Sequence, residues 1–281
     1  VTGQPAPEVR RAANGRPYIF DPDKGKEVTY TRASTFAKTL SDGDSLSWWK
    51  MERLVTGILA DPGILAEGLV VASEGGELEK TVLSRIIAEG LERGGANDAA
   101  YWGTTIHGMT DFVDFTDTTL KRDQWDIPSE IWDALDAYSE LTAAYIPVSG
   151  EKFVVCDELR CAGSYDRILQ HIHNGRPHIA DLKTGRIRFP DHRIQLAIYS
   201  RSKGYDIATG TRIGGPVDVV DPEVGLIVHL PHPRLGEEPD IKAVDLTRGW
   251  QEALLAQKVR EARRTGKEPE ATHDEQGAVN V

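Results

Sequence analysis

The chain has 281 residues, 40% of them hydrophobic and 27% charged, which suits one large globular unit and excludes a disordered chain or a stapled mini-domain. Its formal net charge of -11, from 33 basic and 44 acidic residues, argues against a general polyanion-coating protein. A nucleic-acid enzyme with its cations gathered around one groove stays open. Cys156 and Cys161 are the only cysteines, so a disulfide framework and a four-cysteine zinc or iron–sulfur site within one chain are excluded. No apolar run approaches the roughly 20 residues of a membrane helix, no P-loop signature occurs, and residues 1–15 lack an apolar signal core. The expectation is a cytoplasmic protein without a membrane partner.

Residues 1–29, with Pro5, Pro7, Pro17 and Pro22 among charges, read as an extended arm. Ser34 or Thr35 suits a helix cap, and Leu46, Trp49, Arg53 and Val55 fit a helix running to Ala60, where Asp61-Pro62-Gly63 stops it. Leu78, Val82, Leu83, Ile86, Ile87 and Leu91 recur at three and four residues, which predicts an amphipathic helix over 77–92 ended by Gly94-Gly95. Helices are expected over 99–115 and 129–144. The pattern then changes. Residues 151–156, 162–172 and 178–183 read as strands, the last two separated by the hairpin signal Asn174-Gly175. A helix at 190–203, strands at 224–230 and 240–245, and a helix at 247–264 follow, with a mobile polar tail over 266–281. This order predicts an α/β fold, a mixed central sheet with helices packed on it.

The hairpin brings chemistry together. If Asn174-Gly175 is a two-residue turn, His173 pairs with Arg176, and counting outward sets Ile168 opposite Asp181 and Asp166 opposite Lys183. Alternation then puts Asp166, Ile168, Asp181 and Lys183 on one face, with the two carboxylates as diagonal neighbours able to share a divalent ion. The alternative is a surface hairpin with an Asp–Lys ion pair. Ile179, Ala180 and Leu182 make the strand look buried, where two acids and a lysine are expensive without metal or function.

The segments Gly163-Ser164-Tyr165-Asp166-Arg167, Asp181-Leu182-Lys183-Thr184-Gly185 and Gln195-x-x-x-Tyr199, preceded by Gly103-x-x-x-His107, together resemble the PD-(D/E)XK nuclease superfamily, in its RecB-like branch. Tyr30 to Lys38 is also similar to RecB-like exonucleases of phages, and the four-cysteine iron–sulfur cluster of the CRISPR-associated relatives is absent from the sequence. The resemblance implies a restriction-endonuclease-like core over 95–265 with an N-terminal helical addition over 30–94. It implies His107, Asp166, Asp181 and the Leu182 carbonyl as metal ligands, and Lys183 as the group that orients or activates water. Gln195 and Tyr199 would brace the site and touch nucleic acid, and Glu151 is a further acid beside it.

Phosphodiester hydrolysis needs charge neutralisation and a hydroxide at neutral pH, and Mg²⁺ or Mn²⁺ on carboxylates supplies both. The basic residues Arg186, Arg188 and Arg193 follow the Asp181–Lys183 strand and suit a phosphate-binding rim. The expected function is a metal-dependent DNA exonuclease acting at DNA ends with single-stranded character, serving phage recombination or replication alongside proteins of those processes. The alternatives are a structure-specific endonuclease at flaps or junctions and a non-catalytic DNA-binding or scaffold protein. His107, Asp111 and Asp114 lie at i, i+4 and i+7, but acids in such a set are expected to be solvated, and only His107 is kept as a ligand. Trp48-Trp49 is expected to pack the helical addition.

Two cysteines separated by four residues cannot supply four thiolates, so the purified protein is expected to carry no iron–sulfur cluster. Visible absorbance with iron and sulfide assays checks this. Stoichiometric iron and sulfide would contradict it.

Overall fold

The computed structural model describes residues 8–41, 44–116, 121–123 and 125–266. Strands β1 (Tyr18–Asp21), β2 (Lys26–Thr29) and β3 (Thr31–Arg32) lead into helix α1 (Ala33–Ala37). A helical run follows: α2 (Asp44–Ala60), α3 (Ala66–Ser73), α4 (Lys80–Arg93), α5 (Ala96–Phe115) and α6 (Ser129–Leu141). Then come β4 (Tyr145–Ser149), β5 (Lys152–Cys156), β6 (Cys161–Tyr165), β7 (Arg167–His171) and β8 (Pro177–Lys183). The chain continues through α7 (Asp191–Ser200), β9 (Lys203–Asp206), β10 (Thr211–Ile213) and α8 (Pro216–Val219), and closes with β11 (Val224–His229), β12 (Asp240–Asp245) and α9 (Leu246–Thr265). Among the described residues no single helix is long and apolar enough to cross a membrane.

The fold is α/β, as expected, but with two five-stranded sheets rather than one. The first has the order β12-β11-β8-β7-β4, with β8 and β11 parallel and the other pairs antiparallel. The second has the order β10-β9-β5-β6-β3, with only β3 and β6 parallel. Helices cover both faces of the first sheet. Ile168, Ile179 and Ile227 pack with Ile194 and Ile198 of α7 and Ala253 of α9. Leu169, Leu182 and Val228 on the other face pack with Trp102 and Ile106 of α5 and Ile131 and Leu135 of α6. Burial on both faces explains the near-continuous apolar run of β8.

Several expectations are corrected. The arm predicted over 1–29 is a β1–β2 hairpin where it is described, because Ile19 is fully buried with Tyr30, Val155, Ala162 and Tyr205. Residues 1–7 and nearly all of the tail predicted over 266–281 lie outside the described residues. The start of the predicted helical addition, 30–94, belongs to the packed core: β3 pairs with β6, and Ala33, Phe36 and Ala37 join the cluster of Ile198 and Tyr199. From α2 onward the addition is helical, and α2 meets α4 through glycines so closely that a Cβ on Gly57 would lie 1.9 Å from the Gly90 carbonyl oxygen. Trp48 does not pack there, being 71% exposed.

The strand predicted over 162–172 is two strands in different sheets, broken at Asp166. The turn after β7 is also longer than two residues. His171 N–H donates to the Arg176 carbonyl at 3.0 Å, and Gly175 alone in the loop has positive φ, at 66°. Asn174 instead accepts from Arg176 N–H through its side chain at 2.9 Å, so the type I′ geometry needing two such residues does not form. The register consequently pairs Ile168 with Ile179 and Arg167 with Ala180, two residues from the expected pairing. An even shift leaves every side chain on its predicted face.

Arg167 fastens β7 to the helices above it and is fully buried. Its Nη1 donates to Asp114 Oδ2 at 2.6 Å and to the Tyr138 hydroxyl, and its Nη2 donates to Thr110 Oγ1 at 3.0 Å and Asp111 Oδ1 at 2.9 Å. The acids expected to be solvated are therefore ion-pair partners, and the Asp114 side chain is only 6% exposed. Breaking a buried pair from one side leaves a charge uncompensated. Arg167→Leu is expected to destabilise by about 3–5 kcal/mol. Arg167→Leu combined with Asp114→Leu should recover part of that, read from urea denaturation midpoints. A single variant within about 1 kcal/mol of wild type, the worth of an exposed pair, would show that the clamp carries no fold stability.

Candidate active site

Asp166 stands where the chain leaves one sheet for the other, one residue before β7. Because Arg167 pairs with Ala180, the next step of the register sets Asp166 across from Asp181. The two carboxylates are thus opposite rather than diagonal, a correction that brings them closer than the two-residue turn implied. Leu182 N–H donates to Asp166 Oδ2 at 2.8 Å. On the other edge of β8, Leu230 N–H donates to the Lys183 carbonyl at 2.8 Å. Backbone groups alternate along a strand, so the Leu182 carbonyl points the opposite way, toward Asp166.

Asp181 is 1% exposed. Its Oδ1 accepts from Gln195 Nε2 at 3.3 Å, and its Oδ2 lies 2.5 Å from Lys183 Nζ. That Oδ2 is buried and paired with the Lys183 ammonium, and a carboxylate oxygen so paired keeps a second lone pair for a cation. His107, on α5, places Nδ1 3.8 Å from Asp166 Oδ2. Tyr199 lies one turn beyond Gln195 on α7 and packs on β6 at Gly163, where a Cβ would come within 2.9 Å of its hydroxyl oxygen. Glu151, exposed just before β5, extends the β5–β6 register to face Asp166.

The charges set one another. Burial, then the Asp181 charge, pushes the Asp166 carboxyl up to about 7. Burial opposes the Lys183 cation, but Asp181 and Asp166 outweigh it and hold the ammonium above its usual range. Burial and the Lys183 charge hold His107 below its ordinary value, so its imidazole is neutral near pH 7. The Tyr199 hydroxyl is pushed up by burial and by Asp181 and Asp166, and stays protonated.

The basic residues separate. Arg186 and Arg188 are exposed on the loop after β8, with Arg186 Nε 3.7 Å from Glu237 Oε1. Arg193 is not on the rim: it binds Glu252 of α9 through Nε at 2.8 Å and Nη2 at 2.5 Å, with its side chain 13% exposed. Sequence reasoning missed His192, which burial and the Lys183 charge hold down to about 4, leaving a neutral imidazole beside the site. It stands among Arg188, Asp191 and Arg193, and nothing in that pattern singles it out.

Among the described residues, no three His, Cys, Asp or Glu side chains are drawn together as a closed metal cage. The donors form two neighbouring pairs, His107 with Asp166 and Asp181 with Lys183. Their chemistry fits a hard divalent cation: two carboxylates, one of them already paired with Lys183, a neutral imidazole and a backbone carbonyl. Neither a protein-family model nor a curated protein matches the sequence.

Asp166 binds a proton in the folded chain up to about pH 7, whereas an unfolded carboxyl releases it near 3.8. Between those values the folded state holds more protons than the unfolded one, so stability falls as pH rises. Every tenfold difference in proton affinity between the folded and unfolded chain is worth about 1.4 kcal/mol. In EDTA, Asp166→Asn is expected to remove this slope and to be more stable than wild type at pH 8. Urea denaturation at pH 5 and pH 8 checks it, and parallel pH profiles for the two proteins would contradict it.

Proposed function

We propose that the protein is a divalent-metal-dependent deoxyribonuclease that hydrolyses phosphodiester bonds at DNA ends, in the cytoplasm, on a restriction-endonuclease-like core. The observation that carries this reading is the meeting of Asp166 and Asp181 across one strand pair with Lys183 against them, at the break between two sheets. A structural ion pair needs one carboxylate. The second raises the energy of the site, which is consistent with a place for a cation. DNA ends, phage recombination or replication, and partner proteins of those processes come from the resemblance to RecB-like exonucleases.

Asp166, Asp181, His107 and the Leu182 carbonyl would hold Mg²⁺ or Mn²⁺. When bound, the ion neutralises charge at the phosphoryl oxygens and makes hydroxide available at neutral pH. Gln195 fixes the Asp181 carboxylate through Oδ1 and leaves Oδ2 to Lys183 and the site. Leu182 N–H does the same for Asp166. Lys183 is held as a cation, so its role is to orient water and offset charge developing on the phosphate rather than to take up a proton. Tyr199 remains a neutral donor behind it. Arg186 and Arg188 meet the strand beyond the scissile bond.

Asp181→Ala is expected to lower both Mn²⁺ affinity and cleavage, the latter by about 10³ or more, equivalent to roughly 4 kcal/mol of transition-state stabilisation. Lys183→Ala should differ in kind, binding Mn²⁺ as wild type does while turnover collapses. Calorimetric Mn²⁺ titration beside digestion of end-labelled linear DNA separates the two. A closed-circular substrate tests the requirement for an end. Wild-type digestion by Asp181→Ala, with contaminating nucleases removed, would place the active site elsewhere.

A further inference from the structure

A groove of about 740 Å³ lies away from Asp166, between the β1–β2 hairpin, β3 and the C-terminal half of α9. Arg16, Lys24, Arg160, Arg260, Arg263 and Arg264 line it, against one acid, Glu261. That is a dense concentration of cations for a chain of net charge -11. Lys24 and Arg160 share a counter-ion, with Nζ 3.3 Å and Nη2 3.6 Å from Asp21 Oδ2. Arg16, Arg260, Arg263 and Arg264 have no carboxylate in ion-pairing range among the described residues.

Two of these guanidiniums converge. Arg16 Nη2 and Arg260 Nη2 donate to the same hydroxyl, Thr31 Oγ1, at 3.0 and 3.2 Å. Arg260 is braced further by Thr39 Oγ1 at 3.4 Å and by the Phe36 ring, 5.2 Å from its guanidinium carbon. One neutral hydroxyl cannot offset two cations held this close. An anion with several oxygens can, and planar guanidinium forks match a phosphate in particular.

The position of the groove suggests what the anion belongs to. Arg160 precedes β6, Thr31 pairs with its first residue, and Asp166 follows its last. Six residues of strand span about 20 Å. That is the rise of about six phosphates along one strand of a duplex at 3.4 Å each, and of about half as many along an extended single strand. We propose that the groove is a second phosphate-binding site, which holds the backbone of the nucleic-acid strand about three to six nucleotides from the bond presented to Asp166. This rests on the nuclease reading for the identity of the strand, while the groove's affinity for phosphate is measured without catalysis.

The test is fluorescence anisotropy in EDTA with the full chain and 3′-labelled oligothymidylates bearing a 5′-hydroxyl, one of about two and one of about sixteen nucleotides, on either side of the expected step between three and six. Arg16→Gln with Arg260→Gln should weaken binding of the long oligonucleotide about tenfold or more at 0.1 M salt and make its salt slope shallower by about 1.4, two contacts at 0.7 each. Binding of the short one should move less than about twofold, since it does not reach both sites. Arg263→Glu with Arg264→Glu changes exposed side chains that hold nothing in the fold, and should weaken the long oligonucleotide in the same direction even if the first pair unfolds the protein. Unchanged affinity and slope in the second pair, or equal loss for short and long oligonucleotides in the first, would overturn the proposal. Digestion of linear DNA by the wild type in Mn²⁺ is run alongside. Failure there with a length-dependent arginine effect intact would sink the nuclease reading and leave the groove standing.

Discussion

Two carboxylates face each other across neighbouring strands with one ammonium against them, and the other features of the site answer that arrangement. Asp166 and Asp181 cannot both carry charge cheaply in a half-buried position, so Asp166 holds its proton unusually well. One Lys183 cation faces both of them, and burial together with that cation holds His107 neutral. Each adjustment follows from the one before. Two acids and a lysine gathered in a buried place are expensive for a packed core that gains nothing further from them. An added cation would relieve the repulsion, and this links the energetics to the proposed chemistry.

Such a site stays in place only if its neighbours are rigid. Consecutive strand residues point to opposite faces, so Asp166 and Arg167 divide the work between them. Asp166 faces the site, and Arg167 enters the layer under α5 and α6, where Thr110, Asp111, Asp114 and Tyr138 bind it. The same helix α5 supplies His107 to Asp166, one turn before Thr110 and Asp111. The spacing of His107, Asp111 and Asp114 is thus a registration device. It sets the helix along β7 so that the imidazole meets the carboxylate.

Legibility from sequence followed locality. Asn174-Gly175 and the alternation along β8 are short-range signals, and they brought Asp166, Asp181 and Lys183 to one face even though the turn is longer than two residues. An odd shift would have put them on opposite faces. The β1–β2 hairpin was hidden by the prolines and charges around it, although Gly25 sits at its turn with φ of 59° and Ile19 is fully buried. Arg167 and Arg193 were illegible for another reason. An arginine in a strand or on a helix reads as solvated, and only partners 53 and 59 residues away in sequence, Asp114 and Glu252, make it structural.

The placement of cations completes the electrostatic argument. A chain with net charge -11 repels a polyanion at long range, so the proposed binding would depend on local concentration of arginine and lysine within a Debye length of about 8–10 Å. Arg193 is committed to holding α7 to α9 and contributes little to that field, because Glu252 neutralises it. Arg186 and Arg188 remain beside the site, and Arg16, Arg260, Arg263 and Arg264 remain at the far end of β6. The carboxylates of the site lie at one end only. On the proposed reading, a nucleic-acid strand spanning the two ends of β6 would meet cations at the groove, which offset the repulsion its phosphates meet at Asp166 and Asp181.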